Sequence, residues 1–298
     1  MRLSEIYSYI NMLDVSTTTI RYVNNTTLSN INNFKKLLEE IEVYNLDFYK
    51  DEVKLLKSSK LYSSTLDVFN FNDPSVQSEV YNNARYISDS IKSLQIVLRR
   101  IVPASTETDF LIKFPKPNSF EVLLHDMGEI QKHISVIVFD GSIDSTMEIH
   151  NWEYGSYWIN LTLGSLLAVQ ILGSVTWSAA YISTQINKQK EQELYLRQME
   201  ARTEMIEEMQ KTHKEYLNRL IDKEVKHISK EHFDNEDNQR DKKIKNTVKL
   251  FADIILRGGE FQPSLISSQD IKDSYPDFNL IETIESKVKQ LPQISSNK

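Results

Sequence analysis

Residues 155–187 read GSYWINLTLGSLLAVQILGSVTWSAAYISTQIN, 33 consecutive positions without Asp, Glu, Lys or Arg. An uncharged, mostly apolar run longer than about 18 residues marks a candidate membrane span. Aromatic rings bracket it: Trp152, Tyr154, Tyr157 and Trp158 before, Trp177 and Tyr181 near its close. As a helix, Trp158 to Tyr181 covers about 35 Å, enough for a tilted crossing of a hydrocarbon layer about 30 Å thick. Amphipathic rings at that separation suit the two lipid–water interfaces. The expectation is one spanning helix over residues 157–186, in a single-pass membrane protein.

The run is not a purely apolar anchor. Its mean hydropathy is about 1.4 over residues 161–179, modest for a spanning helix. On a helical wheel Asn160, Gly164, Ser174 and Ser178 share one side, Gln170 lies at its edge, and Leu167 and Ile171 fill the middle. Such a stripe in lipid must pack on protein or line water, and one helix per chain cannot hide its own. Gly164, Ser165, Ala168 and Gly173 permit close helix–helix approach. The stripe therefore predicts homo-oligomers around a narrow pore, with Leu167 and Ile171 as an apolar constriction able to gate by dewetting. The plainer alternatives are an anchor whose polar groups hold a dimer together, and the buried core helix of a soluble protein.

Outward from this run, residues 1–107 read as a helical domain. Apolar positions recur at helical spacing in Leu37, Leu38, Ile41 and again in Val80, Ala84, Ile87, Ile91, Leu94, Leu98. Asp73-Pro74-Ser75 starts the second of these helices. Residues 108–156 read as a small β-α-β-β module: a strand at 109–114, a helix at 119–133, a β-branched strand at 135–139 and a strand at 146–152. Residues 187–233 read as one long charged helix with a sparse apolar stripe, a weak coiled-coil pattern. Residues 234–298 read as a short helical region, with helices near 243–256 and 279–291 and a stop at Gly258-Gly259. The fold class is mainly α with a small α+β module, a single transmembrane helix and a long charged helix after it.

The chain has 298 residues, no cysteine and a net charge of −7. Disulfides and thiolate chemistry are excluded. Residues 1–156 hold 15 basic and 21 acidic side chains, a poor surface for general nucleic-acid binding. The first residues, Met1-Arg2-Leu3-Ser4-Glu5, lack the apolar core of a signal peptide. Lys188, Lys190, Arg197 and Arg202 follow the charge-free run, and Asp140, Asp144, Glu148 and Glu153 precede it, which favours a cytosolic C-terminal side. That orientation conflicts with exporting about 150 residues without a signal.

No phosphate-cradling glycine motif, nucleophile elbow or His-Glu-x-x-His pair occurs. His125, Asp126 and Glu129, and His227 and His232 with Glu224 and Glu231, read as solvated helix faces rather than metal or acid–base clusters. No enzyme, cofactor or metal is expected. Arg99, Arg100, Lys113 and Lys116 could hold a phosphate-bearing ligand, a nucleotide or short nucleic acid, if the fold brings them together. Their plainer role is to complement a helix C-terminus.

In its order of parts, with the charge-free segment 157–183 between flanking domains, the chain resembles membrane-permeabilising effectors of bacterial anti-phage defence, among them the Hailong-type channel effector. That resemblance implies an oligomeric, ligand-gated channel of the bacterial inner membrane with a cytosolic N-terminal domain; it is one of architecture and carries no binding residue. The chain is similar also to soluble α-helical pore-forming toxins, which place a hydrophobic stretch between long helices. That second likeness implies a water-soluble protein that inserts on meeting a membrane.

Overall fold

The computed structural model describes residues 3–141, 143–152, 157–199 and 203–288. The chain is mainly α-helical with a small α+β module, and it divides into two compact units, Met1–Ala104 and Ser105–Lys298.

Unit 1 runs α1 (Leu3–Met12), α2 (Val15–Thr18), β1 (Arg21–Asn24), β2 (Thr27–Ser29), α3 (Ile31–Val43), a 3-10 turn at Asp47–Tyr49, α4 (Lys50–Ser58), α5 (Lys60–Ser63), β3 (Val68–Asn70) and α6 (Pro74–Ile101). Asp73 caps α6 by accepting the Ser75 N–H at 2.8 Å, and Pro74 occupies its first turn. Apolar residues on one face of α6 (Val80, Ala84, Ile87, Ile91 and Leu98) enter a single core with Phe34, Leu37, Leu38 and Leu56. The three-stranded antiparallel sheet β1-β2-β3 was not expected in this helical region. Its strands have three or four residues, too few to display an alternating pattern.

Unit 2 runs β4 (Asp109–Lys113), α7 (Phe120–Val138), β5 (Glu148–Trp152), β6 (Trp158–Thr162), α8 (Leu166–Gln198), α9 (Thr203–His232), α10 (Asn238–Leu256), β7 (Glu260–Pro263), α11 (Gln269–Ser274) and a 3-10 turn at Phe278–Thr283. The antiparallel sheet has the order β5-β6-β4-β7. Phe110, Phe251 and Phe261 stack between sheet and helices, with ring centroids 3.8 Å apart for Phe251–Phe261 and 6.0 Å for Phe110–Phe261. Helix α8 packs against α7, α9, α10, α11 and β7, which puts it in the middle of the unit.

Four expectations about element bounds are corrected here. The charge-free run is not one helix from residue 157. Trp158–Thr162 form β6, paired in register with β4 from Asp109↔Thr162 to Lys113↔Trp158. Gly164 then takes a left-handed backbone (φ 67°), and Ser165 caps the helix by accepting the Ala168 N–H at 3.4 Å. Gly164 and Ser165, expected as small packing residues, are a turn and an N-cap. Second, residues 135–139 do not form a strand: α7 continues through Val138 with Phe139 as its C-cap, because its apolar residues Ile130, Ile134, Ile137 and Val138 keep helical spacing into the core. The module's third strand is β6 instead.

Third, residues 187–233 are not one helix. Residues 188–198 extend α8, and α9 returns alongside it: Ser174 meets His232, Ser178 meets Glu224, and Glu193 meets Gln210. The charged stretch is thus part of an antiparallel helical hairpin. Fourth, the expected helix near residues 279–291 is a 3-10 turn over Phe278–Thr283 in its described part; residues 289–291 lie outside the described residues.

Candidate functional site

Helix α8 is one helix long and apolar enough to cross a membrane, and 72% of its most apolar window is buried inside the protein. Ala168, Val169, Ile171, Leu172, Val175, Ala179, Ala180 and Ile182 are all buried in the core of unit 2. The helix is enclosed on every side over residues 168–184 apart from the half-buried Gln170, Trp177 and Tyr181. Its second half, from Asn187, is mostly exposed.

The buried hydroxyls of α8 each have a partner. Ser174 Oγ lies 2.8 Å from His232 Nε2. Ser178 Oγ donates to Glu224 Oε2 at 2.7 Å, and Ser286 donates to the other carboxylate oxygen. Glu224 is only 1% exposed, so these two hydroxyls take the place of water around a buried carboxylate. Thr184 Oγ1 donates to the Ile281 carbonyl at 3.1 Å, and Trp177 Nε1 to the Glu285 carbonyl at 2.9 Å. Three hydroxyls also bond carbonyls of the same helix: Thr176 to Leu172 at 2.7 Å, Ser183 to Ala180 at 2.7 Å, and Thr184, whose one proton is shared with the Ile281 carbonyl, to Ala180 at 3.0 Å.

Gly173 has a specific job. A Cβ there would meet Tyr275 Cε2 at 2.8 Å and the Ser274 side chain. The end of α11 therefore rests directly on the α8 backbone, and Tyr275 donates its hydroxyl to the Val169 carbonyl at 2.8 Å. The close approach that small residues allow is used within the chain. Burial pushes the Tyr275 hydroxyl well above its ordinary pKa, so it stays a donor.

His232 sits where burial pushes its pKa below the ordinary imidazole value. Glu231 opposes that shift, and His227 and Lys287 reinforce it. Burial likewise lowers Lys287, opposed by Glu231, Asp273 and Glu224. The Lys287 ammonium lies 4.1 Å from the Trp177 ring centroid and donates to the Asp273 carbonyl at 3.0 Å.

The expected site residues separate accordingly. Of the pore-lining set, Gln170, Ile171, Ser174 and Ser178 are on α8, as is Leu167, which is 37% exposed near its start. Asn160 is on strand β6, where its Nδ2 donates to Asp109 at 3.1 Å, and Gly164 is in the turn. These two leave the helical stripe because the helix begins later than expected. Of the interface rings, Trp158 is on β6, Trp177 and Tyr181 are midway along α8, Trp152 ends β5, Tyr157 is exposed, and Tyr154 lies outside the described residues. The rings therefore do not mark the two ends of one helix in this fold.

Arg99 and Arg100 are exposed in the last turn of α6, in unit 1. Lys113 and Lys116 belong to unit 2, where Lys113 pairs with Glu260 and lies 6.0 Å from the Trp158 ring. A lysine already answered by a carboxylate is a weak phosphate ligand. Asp126 has a structural partner that sequence reasoning missed: Arg257 grips it with two bonds, of 2.8 and 2.9 Å. The buried carboxylate Asp109 was also missed. Burial alone would raise its pKa, but hydrogen bonds from Thr106, Thr162 and Asn160 outweigh burial and hold it below the ordinary value. Arg257 lies 131 residues from Asp126 and was not findable from local pattern; Asp109 had a local signal in Thr106, three residues before it, while Asn160 and Thr162 lie 51 and 53 residues away. Among the described residues no group of three His, Asp or Glu is placed to hold a metal ion.

No family model matches the chain, and no solved structure matches it. The chain is similar to the uncharacterized protein YqaP of Bacillus subtilis (strain 168), with 22% identity over 291 residues and 93% of each chain covered. The likeness spans both units, and that relative's name states no activity.

Proposed function

We propose that this protein permeabilises membranes and keeps the helix that does so inside a folded, water-compatible domain until it meets a bilayer. One observation carries the reading: residues 166–187 of α8 contain no charge and reach about 33 Å as a helix, and the turns between residues 168 and 184 are nonetheless wrapped by their own chain. The length suits a hydrocarbon layer of about 30 Å.

The hydrogen bonds bear on what insertion costs. Thr176, Ser183 and Thr184 already bond carbonyls of their own helix, and such bonds survive transfer into lipid. Ser174 and Ser178 exchange His232 and Glu224 for the carbonyls one turn back. Gln170 remains as a polar group with no partner on its own helix, and polar groups of that kind drive helices together in lipid. A single helix per chain makes a pore only as a homo-oligomer. Leu167 and Ile171 are then the narrow apolar positions at which conductance is controlled.

A second reading is favoured by the same wrapping: α8 is the core helix of a binding module and never leaves it. Flotation with liposomes and release of an entrapped dye separate the two. The permeabilising reading expects a water-soluble protein that floats with vesicles and releases dye, with altered conductance in Leu167→Ser and Ile171→Ser in planar bilayers. A folded monomer that stays at the bottom of the gradient and leaves the dye inside supports the core-helix reading and rejects the first.

A further inference from the structure

We infer that residues 277–288 are a latch over α8, the segment whose release precedes exposure of the helix; the inference rests on the reading just proposed. After α11 ends, Tyr275 anchors the chain under α8, and the following residues run along the helix as irregular backbone and one 3-10 turn. Polar contacts from four residues fasten them. Ile281 and Glu285 accept from Thr184 and Trp177 through their carbonyls. Ser286 donates to Glu224, and Lys287 covers the Trp177 ring while donating to the Asp273 carbonyl.

The latch is built differently from what it covers. Among residues 277–288 none is fully buried; Phe278, Ile281 and Ile284 are partly buried against the core. A segment with few buried apolar contacts and no regular hydrogen-bond ladder opens at lower free energy than core helices do. The contacts fall on the middle and later turns of the enclosed half of α8, from Trp177 to Thr184. The same segment satisfies Glu224, the carboxylate that also holds Ser178. Removing the latch leaves that carboxylate with one donor fewer and uncovers it.

Amide hydrogen exchange of the full chain in lipid-free buffer tests this without reference to membranes. In Ile281→Ser/Ile284→Ser, amides of residues 176–187 should exchange at least about tenfold faster, while α7 and α10 keep their native rates. A second variant, Thr184→Cys/Ile281→Cys, crosslinks latch to helix in a chain that has no other cysteine. Oxidised, it should slow exchange at residues 176–187, and reduction should restore the native rate. Equal acceleration of α7, α8 and α10, or no change at α8 in both variants, would overturn the latch. Dye release by the native protein is a separate result: with leakage present and exchange unaffected, the function stands and the latch falls.

Discussion

Helices α6 and α8 are the long helix of unit 1 and the central helix of unit 2, and they are solvated in opposite ways. Helix α6 buries one stripe and presents Arg85, Asp89 and Lys92 to water. Helix α8 over residues 168–184 is enclosed nearly all round, and its buried hydroxyls, Ser174 and Ser178 among them, find partners in protein. An amphipathic helix belongs to the surface of a core, whereas one apolar all round belongs to the middle of a domain or to a membrane. The difference lies in what surrounds the helix, and composition alone reads both environments as the same signal.

Substitutions should divide along that line. Ile171→Asp places a carboxylate with no partner at a fully buried position of α8. It should cost at least about 4 kcal/mol, seen in urea unfolding as loss of the unit 2 transition. A mild effect would mean that α8 is already loosely held.

Glu224→Ala comes next. It leaves Ser178 and Ser286 without their acceptor and should cost about 2–3 kcal/mol, with Glu224→Gln recovering part of the loss because its oxygen can still accept. Equal losses in the two variants would show that the contact is packing alone.

Acidification should act on the same surface. The His232 pKa is lowered in the closed fold, so the opened state takes up the proton first as pH falls. Its contribution is fully present above the ordinary imidazole value of 6.5 and is lost as pH drops from there toward the depressed value. The slope is at most about 1.4 kcal/mol per pH unit for one proton. His232→Gln should flatten this part of a stability–pH curve; an unchanged curve would assign the dependence to other groups. The smallest effect belongs to α6: Asp89→Ala removes an exposed i,i+4 pair with Arg85 and should change stability by no more than about 0.5 kcal/mol.

Much of this architecture was open to sequence reading where the signals are local. The Asp73-Pro74 cap, the helical spacing of α6, strand β4 and the charge-free run are each visible in a few adjacent residues. The start of α8 was misread although its markers stand in the sequence. Gly164-Ser165 followed by a helical run is a turn and an N-cap, but a length criterion for membrane spans counts Trp158-Ile-Asn-Leu-Thr162 as helix as readily as strand. What decides for the strand is β4, about 50 residues earlier, which offers its edge to pair. The partners of the polar stripe were hidden for the same reason. Ser178 reads as a packing or pore residue until Glu224 is brought to it by the α8–α9 hairpin. Glu224 reads as one charge among many on a solvated face until Ser178 and Ser286 close over it.

The most direct measurement of the central claim follows the helix itself. Gln170→Cys gives the full chain a single thiol at a half-buried position of α8, to which an environment-sensitive fluorophore can be attached without filling the core. Adding liposomes that carry a lipid-phase quencher should extinguish the emission, because the labelled turn passes from the protein core into hydrocarbon. Emission that the quenching lipid leaves unchanged, from labelled protein shown by gel filtration to be folded, would contradict the account and keep α8 where the fold holds it.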